Sequence, residues 1–515
     1  MDAPSPNASP PPPPLRKPRG CLRRGLRGCG CAVGGVAVLV IVVVLALAFQ
    51  LHRVPVSYPL TDPPVVAPLA DTLGAGMDGF DSPYLGHSGS WDGAGGAMLG
   101  ASKIPDLDRE VAMGLRWTFM PVYWAKMEPD GPVDPENNPP PTWAALDAFV
   151  IAAHARKLNI LMQAPVMGGN AGGPPKWAGR REKGKSAPEN MAAAGEFAAK
   201  LAQRYAPGGT LATRQGWGTG YGVRAWEMDN EPESYFTNWK GQAGDYAEFV
   251  TLVSSKIKAA DKDAVIAAPG MASGLDGLEW MKQALDAPGL HGSAIFKQQG
   301  KMFSIGPVSD VISLHNYEGL DSAFSGGSRT IGTVLGNVRD VMNAAEQSFP
   351  GFTYERKAHY WHTEGNFDFL PLVASQRKAS WRFQFFTRAF ASGLRKVCVM
   401  DPSEAEQAAI KDYVDVLPHP FPMLAAAGEV KTTLGAASVF RHPDGTDPAA
   451  GQVWIAWAEP RKGAATIVVP AQRPQVTLIW GNGSRADHAA VDGRVTIDLP
   501  GHDHITESVL VIDRP

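Results

Sequence analysis

Short apolar runs recur through the middle of the chain, and each is followed by a stretch with helical spacing. Tyr84–His87, Leu115–Met120, Ile160–Pro165, Val223–Met228, Ala264–Ala268, Asp310–Leu314, His359–Thr363 and Val397–Met400 are runs of this kind. Segments so short and so evenly apolar suit strands that are covered on both faces, as in a parallel sheet. Between them, Trp143–His154, Ala194–Tyr205, Tyr246–Ala260, Ile331–Ala345 and Ser375–Ala391 repeat apolar residues at the interval of one helix face. Eight strands alternating with helices predict an α/β fold, a (β/α)8 barrel over 76–428.

From Lys431 the period shortens to two. Gln452–Trp457, Ala465–Val469, Val476–Trp480, Val495–Leu499 and Ser508–Ile512 read as short alternating strands, and Asn482-Gly483 is a hairpin turn signal. A β-sandwich over 429–515 follows from this pattern. Asn482-Gly483-Ser484 also matches a glycosylation sequon, although a turn accounts for it.

The first residues are organised differently. Residues 1–31 are rich in Pro and Ala and carry Arg16, Lys17, Arg19, Arg23, Arg24 and Arg27, a composition for a disordered basic tail. Ala32–Phe49 has no charge, so a transmembrane anchor is expected over 32–50. The basic cluster before it, against Arg53 after it, places the tail in the cytoplasm and the large domain outside the cell membrane. The rival is a cleaved signal with Ala46-Leu47-Ala48 as its site, which would leave the remainder secreted. Residues 51–75 form a Pro-rich spacer.

Composition narrows the function. A net charge of −3 over 515 residues leaves no electrostatic footprint for nucleic acid. Cys21, Cys29 and Cys31 precede the apolar run and Cys398 lies alone in a strand, so no disulfide framework is available to the folded part. No His, Cys and carboxylate spacing suits a metal, and no cofactor is expected. Gly179 to Ser186 formally matches a phosphate loop, but Pro174-Pro175-Lys176-Trp177 precedes it where a hydrophobic strand is required.

The chemistry gathers at strand ends. Val223–Met228 runs into Asp229-Asn230-Glu231-Pro232, and His359-Tyr360-Trp361-His362-Thr363 runs into Glu364-Gly365. By this count Glu231 closes the fourth strand and Glu364 the seventh, so a closed barrel brings both to one face. Between them, His315 and Tyr317 leave the sixth strand two residues apart, which puts both rings on one side of an extended chain.

This constellation resembles the clan A glycoside hydrolases, and most of all their family 39 and family 5 branches. Trp226 to Pro232 stands for W-E-x-x-N-E-P, Leu314 to Tyr317 for H-x-Y, and Trp361 to Gly365 for x-x-T-E-x-G. Trp124 to Pro129, with Trp143 and Asp147, resembles the stretch after the second strand, and Pro175-Lys176-Trp177-Ala178 the P-x-W-A loop after the third. Two positions depart from the pattern. No arginine stands at Thr118–Met120, and Asp229 occupies a place where Trp is commoner.

The resemblance implies a retaining O-glycoside hydrolase, with Glu231 as acid/base and Glu364 as nucleophile. It implies that Asn230 contacts the sugar 2-hydroxyl, that Tyr317 donates to Glu364 and that His315 supports the acid/base side. Trp361 and Trp177 become candidate stacking walls for an oligosaccharide, polysaccharide or glycoconjugate. The competing expectations are a non-catalytic carbohydrate-binding or envelope-scaffolding protein on a degenerate barrel, and a transglycosylase using the same residues.

Overall fold

The computed structural model describes residue 73 and residues 77–514, apart from 88–102, 168–172, 182–186, 234–238, 240–242, 273–279, 282–283, 285–307, 319–330, 348–358, 367–374, 427–428, 444–450 and 503–504. All belong to one compact unit, Arg53–Pro515. The expected tail, anchor and most of the spacer lie outside the described residues. No helix among those described is long and apolar enough to cross a membrane.

Eight parallel strands close a barrel in chain order. They are β1 Tyr84–His87, β2 Trp117–Tyr123, β3 Asn159–Val166, β4 Ala225–Glu227, β5 Val265–Met271, β6 Val311–His315, β7 His359–Glu364 and β8 Lys396–Met400. β8 returns to β1, with Leu85 opposite Cys398. Alternation along each strand feeds two cores. Leu85, Trp117, Phe119, Leu161, Val265 and Val311 fill the interior, while Met120, Ile160, Met162, Trp226, Ile266 and Ile312 meet the outer helices. Apolar cover on both sides explains why these strands read as unbroken hydrophobic runs.

The floor of the barrel is aromatic. Trp361 stands edge-on to Trp117 at 5.7 Å. Lys396 Nζ lies 4.0 Å from the Trp117 ring centre and 5.0 Å from that of Trp361.

Around the barrel run α1 Ile104–Ala112, α2 Pro141–Ala155, α3 Met191–Tyr205, α4 Ala243–Ala260, α5 Ile331–Gln347, α6 Ser375–Ala391 and α7 Glu404–Val416. The sequence reading did not include α1 or α7. α7 nevertheless opens with a capping box: Glu406 N–H donates to the Ser403 hydroxyl, and the Ser403 N–H donates to Glu406. Arg204 of α3 is almost wholly buried and joins α2 through Asp147, with Nε–Oδ1 at 2.8 Å and Nη2–Oδ2 at 2.6 Å.

The second fold element is a sandwich of antiparallel strands. Its six-stranded sheet has the order β15-β14-β17-β12-β11-β9, and its three-stranded sheet the order β10-β13-β16. The strands are β9 Leu424–Ala425, β10 Lys431–Leu434, β11 Ala437–Pro443, β12 Gln452–Ala458, β13 Ala465–Pro470, β14 Gln475–Trp480, β15 Arg485–Ala489, β16 Arg494–Leu499 and β17 Ser508–Asp513. The sandwich therefore begins at Leu424, slightly ahead of the boundary expected at 429. β10 and β15 are exposed throughout, and so carry none of the alternation that marks a half-buried strand. The sandwich docks on α6: Gln384 Nε2 donates to the Thr506 carbonyl at 2.8 Å, and the Ser508 hydroxyl donates to the Ser380 carbonyl at 2.8 Å.

Helix α1 reaches β1 at Gly86, where a methyl group would stand 2.4 Å from the Glu110 carboxyl carbon. Burial pushes the Glu110 carboxyl from its ordinary 4.5 up to about 8. Between those values the folded chain keeps a proton that the unfolded chain releases, so Glu110 lowers stability as pH rises through that window. Glu110→Gln removes this titration. Denaturant unfolding should show the variant gaining on wild type between pH 4.5 and about 8; a difference independent of pH would contradict the assignment.

Candidate active site

β4 ends at Glu227 and the chain turns sharply. Asp229 and Glu231 both adopt left-handed backbone conformations, with φ of 58° and 41°. Such residues cost on the order of 1–3 kcal/mol each and persist only where the surroundings hold them. Asp229 is fully buried and supplies that hold. Its Oδ1 accepts from the N–H groups of Met167 and Asn230, both at 2.9 Å, and its Oδ2 accepts from Trp239 Nε1 at 2.5 Å. The Glu231 N–H donates to the Gly270 carbonyl at 3.0 Å. The loop is thus tied to β3 on one side and β5 on the other, with the Glu231 side chain partly open to solvent.

β6 and β7 deliver the partners. Tyr317 Oη donates to Glu364 Oε1 at 2.5 Å. His315, with no exposed surface, places Nδ1 3.1 Å from Glu231 Oε1 and 3.7 Å from Glu364 Oε2. Gly365 turns the chain just past Glu364 at φ 149°. Glu318, next along the chain, accepts from Trp381 Nε1 at 2.7 Å and pairs with Arg388 at 2.6 Å. Arg382, buried in α6, joins the ends of β7 and β8 by donating to Asn366 Oδ1 at 3.0 Å and the Met400 carbonyl at 2.9 Å.

Behind the two glutamates lies a third carboxylate. Glu227 Oε1 accepts from the Thr363 hydroxyl at 2.7 Å, and its Oε2 accepts from Gln163 Nε2 at 3.0 Å. The same Gln163 nitrogen donates to Asn230 Oδ1 at 3.1 Å. With its oxygen occupied, Asn230 presents its NH2 as the group left to meet a ligand acceptor.

These acids set the charge of His315. Burial lowers its affinity for a proton, but Glu364, Glu231 and Glu227 more than reverse this and carry the imidazole up to about 10. Burial pushes the Glu364 carboxyl up, as does Glu231, while His315 and the Tyr317 hydroxyl pull it down. Ligand atoms of Glu231, His315 and Glu364 all lie within 4.8 Å of one another. A protonated imidazole has no lone pair for a metal, so its own positive charge balances the cluster.

The structure brings Glu231, Glu364, Asn230, His315 and Tyr317 to one end of the barrel, where the sequence placed them. It does not bring Trp361 there. That side chain is buried in the barrel interior with Trp117 and Lys396, so the stacking wall expected of it is corrected to a core residue. Trp177 is half-buried in the short turn Lys176–Ala178, donates to the Glu128 carbonyl at 2.7 Å and stands edge-on to Trp124. That turn, rather than a strand, precedes Gly179, and Arg181 pairs with Asp245 and Glu248; residues 182–186 of the phosphate-loop match lie outside the described residues.

Sequence reasoning missed Gln163, Thr363, Ser313 and His87. His87 closes β1, stacks on Phe119 at 4.2 Å and places Nε2 4.0 Å from Glu364 Oε2. A polar residue inside an otherwise apolar strand was the available signal for each.

Barrel and sandwich together define a fold class, a (β/α)8 barrel with an antiparallel β-sandwich, and solved glycoside hydrolases share it. In particular, the structure resembles a family 39 glycoside hydrolase from the gut symbiont Bacteroides cellulosilyticus WH2, with TM-score 0.52 and 16% identity over 84% of this chain and 81% of that one. It also resembles a family 51 alpha-L-arabinofuranosidase from Bifidobacterium longum, with TM-score 0.50 and 12% identity over 84% of this chain and 95% of that one. At such identities the likeness is one of fold. No protein-family model matches the sequence, and no curated protein matches it.

A methyl group on Gly365 would stand 2.0 Å from the Asn316 carbonyl oxygen and 2.5 Å from His362 Nε2. Gly365→Ala should therefore cost about 2–4 kcal/mol by denaturant unfolding. A variant as stable as wild type would show that the turn is not constrained as described.

Proposed function

We propose that this chain is a retaining O-glycoside hydrolase acting by double displacement on an oligosaccharide, polysaccharide or glycoconjugate. One observation carries the reading. Two glutamates, one just past β4 and one closing β7, bring one carboxylate oxygen each within 4.8 Å of the other, with one imidazole between them and a phenol on the second. Retaining enzymes hold their carboxyl groups roughly 5–5.5 Å apart, whereas inverting enzymes leave about 6.5–9.5 Å for a water. Oxygens this close, with one imidazole bridging the two carboxylates, favour the retaining arrangement.

Glu364 is the nucleophile in this reading. Tyr317 donates to its Oε1, the positive charge of His315 stands 3.7 Å from its Oε2, and together they orient the carboxylate toward the anomeric carbon. Glu231 is the acid/base, and its partial exposure leaves room for the leaving group and then for water. The Asn230 amide donates to the 2-hydroxyl, a contact that tightens as the oxocarbenium-like state forms. The fold likeness is consistent with this chemistry, since both similar structures bear glycosidase names.

The same proposal extends to location. Ala32–Phe49, bounded by arginines on one side, supports an anchor that holds the barrel outside the cytoplasm.

Chromogenic aryl glycosides and product NMR test the reaction. Glu364→Gln should lower kcat by about a thousandfold or more, and the first-formed sugar should keep its anomeric configuration. Equal rates for variant and wild type, or an inverted product, would overturn the assignment. The pH profile gives a second check. Because burial raises Glu364 from its ordinary 4.5, the acid limb of kcat/KM should lie above that value. Tyr317→Phe removes a donor that favours the carboxylate, so this limb should move to still higher pH.

A further inference from the structure

We propose that Glu227 is a positioning residue for this chemistry: acting through His315, it governs how firmly the Glu231–His315 pair keeps its shared proton. The inference rests on the hydrolase reading for its kinetic consequence, but its structural basis is independent. Glu227 has no exposed surface. Hydroxyls from Thr363 and Ser313 and an amide N–H from Gln163 converge on it. Burial raises the Glu227 carboxyl from its ordinary value, while His315 and the three donors Thr363, Ser313 and Gln163 pull it back toward the anion. The Ser313 hydroxyl in turn accepts from the Gly270 N–H at 2.8 Å.

Gly270 is the second part of the device. A methyl group there would stand 3.3 Å from Glu227 Oε1 and 3.4 Å from His315 Nε2, at φ +60°. The carboxylate and the far edge of the imidazole therefore border one gap that only glycine leaves open. Nδ1 of the same ring meets Glu231 at 3.1 Å, while Nε2 has no hydrogen-bond partner among the described residues. His315 thus stands between a buried carboxylate that never reaches the pocket and the glutamate that does.

The charged and titratable neighbours are few enough to name. His315 is faced by Glu227 and Glu231 from the β4 end, Glu364 and His362 from β7, and His87 from β1, with Glu233 farther along the β4 loop. Glu227 itself is faced by His315, by the phenol of Tyr246 on α4, by Glu364 from β7 and by Cys398 of β8. Burial favours neutral forms of both His87 and His362, which leaves His315 as the cation in this group.

The proton transfer balances within the pair. When Nδ1–H gives its proton to Glu231 Oε1, imidazolium and carboxylate become imidazole and carboxylic acid, with no change in total charge. Glu231 then holds the proton that the glycosidic oxygen takes as its bond to the anomeric carbon breaks. A fixed negative charge at Glu227 favours the imidazolium, so the His315 ring keeps its proton to higher pH. That coupling reaches the acid/base without any contact between Glu227 and substrate.

The experiment is an NMR titration of the His315 ring in the full chain, read in wild type and Glu227→Gln. Glutamine keeps the size and can still meet Thr363 and Gln163. In wild type the ring should hold its proton to about 10, and in the variant the midpoint should fall by about a unit or more. The alkaline limb of kcat/KM should move the same way. A second variant, Glu227→Asp, draws the same negative charge back from the ring by one methylene and should lower the midpoint by a smaller step, so the idea is testable even if Glu227→Gln does not fold. An unmoved midpoint in folded variants would overturn the proposal. A midpoint that moves in a protein inactive on every glycoside would uphold the coupling and overturn the hydrolase reading instead.

Discussion

An imidazolium enclosed by carboxylates is the interaction on which the upper end of this barrel depends. Glu227, Glu231 and Glu364 come from two strands that the barrel brings together, and their mutual repulsion in a buried space would be costly without a cation. His315 supplies it from β6, with its ring wholly out of solvent. Burial opposes the charge and the acids favour it, and the acids prevail. The ring therefore acts as an electrostatic keystone as well as a hydrogen-bond donor. Tyr317, two residues on, shares the load by donating to Glu364.

The backbone pays for this arrangement at the β4 loop, where Asp229 and Glu231 both sit at positive φ. Asp229 turns a departure from the resembled motif into a brace. A tryptophan at 229 would present no acceptor, whereas the carboxylate gathers Met167, Asn230 and Trp239 onto one side chain. Strain of this kind is stable only when several contacts determine it together. The strained turn aims Glu231 outward while Asn230 stays tied to Gln163.

The barrel was legible because its strands are covered on two sides, which writes them as apolar runs. Glu231, Glu364, His315 and Tyr317 were legible because strand ends and a two-residue spacing fix where such side chains go. Other parts left weaker marks. β10 and β15 bury nothing and show no period. Trp361 lies in β7 only three residues before Glu364, yet its ring joins the floor of the barrel; alternation names a face of the strand but not a height along the barrel axis. Gly270 has no readable signal at all, since the gap it leaves matters only once Glu227 and His315 are known to border it.

The two ends of the barrel show that neighbours, rather than burial, decide where charge can work. Lys396 at the floor and His315 at the rim are both enclosed, and burial disfavours the cation in each. Lys396 meets the faces of Trp117 and Trp361 and the Ser82 carbonyl, and its affinity for a proton falls well below the ordinary range. His315 lies in the field of three carboxylates and moves the other way. Aromatic walls can hold a cation in place but do not repay its lost hydration as full negative charges do. The floor is accordingly a place for packing, and the rim is where a proton can be held, shared and released. That asymmetry runs along the strands themselves, from tryptophan at the start of β2 to glutamate at the end of β7.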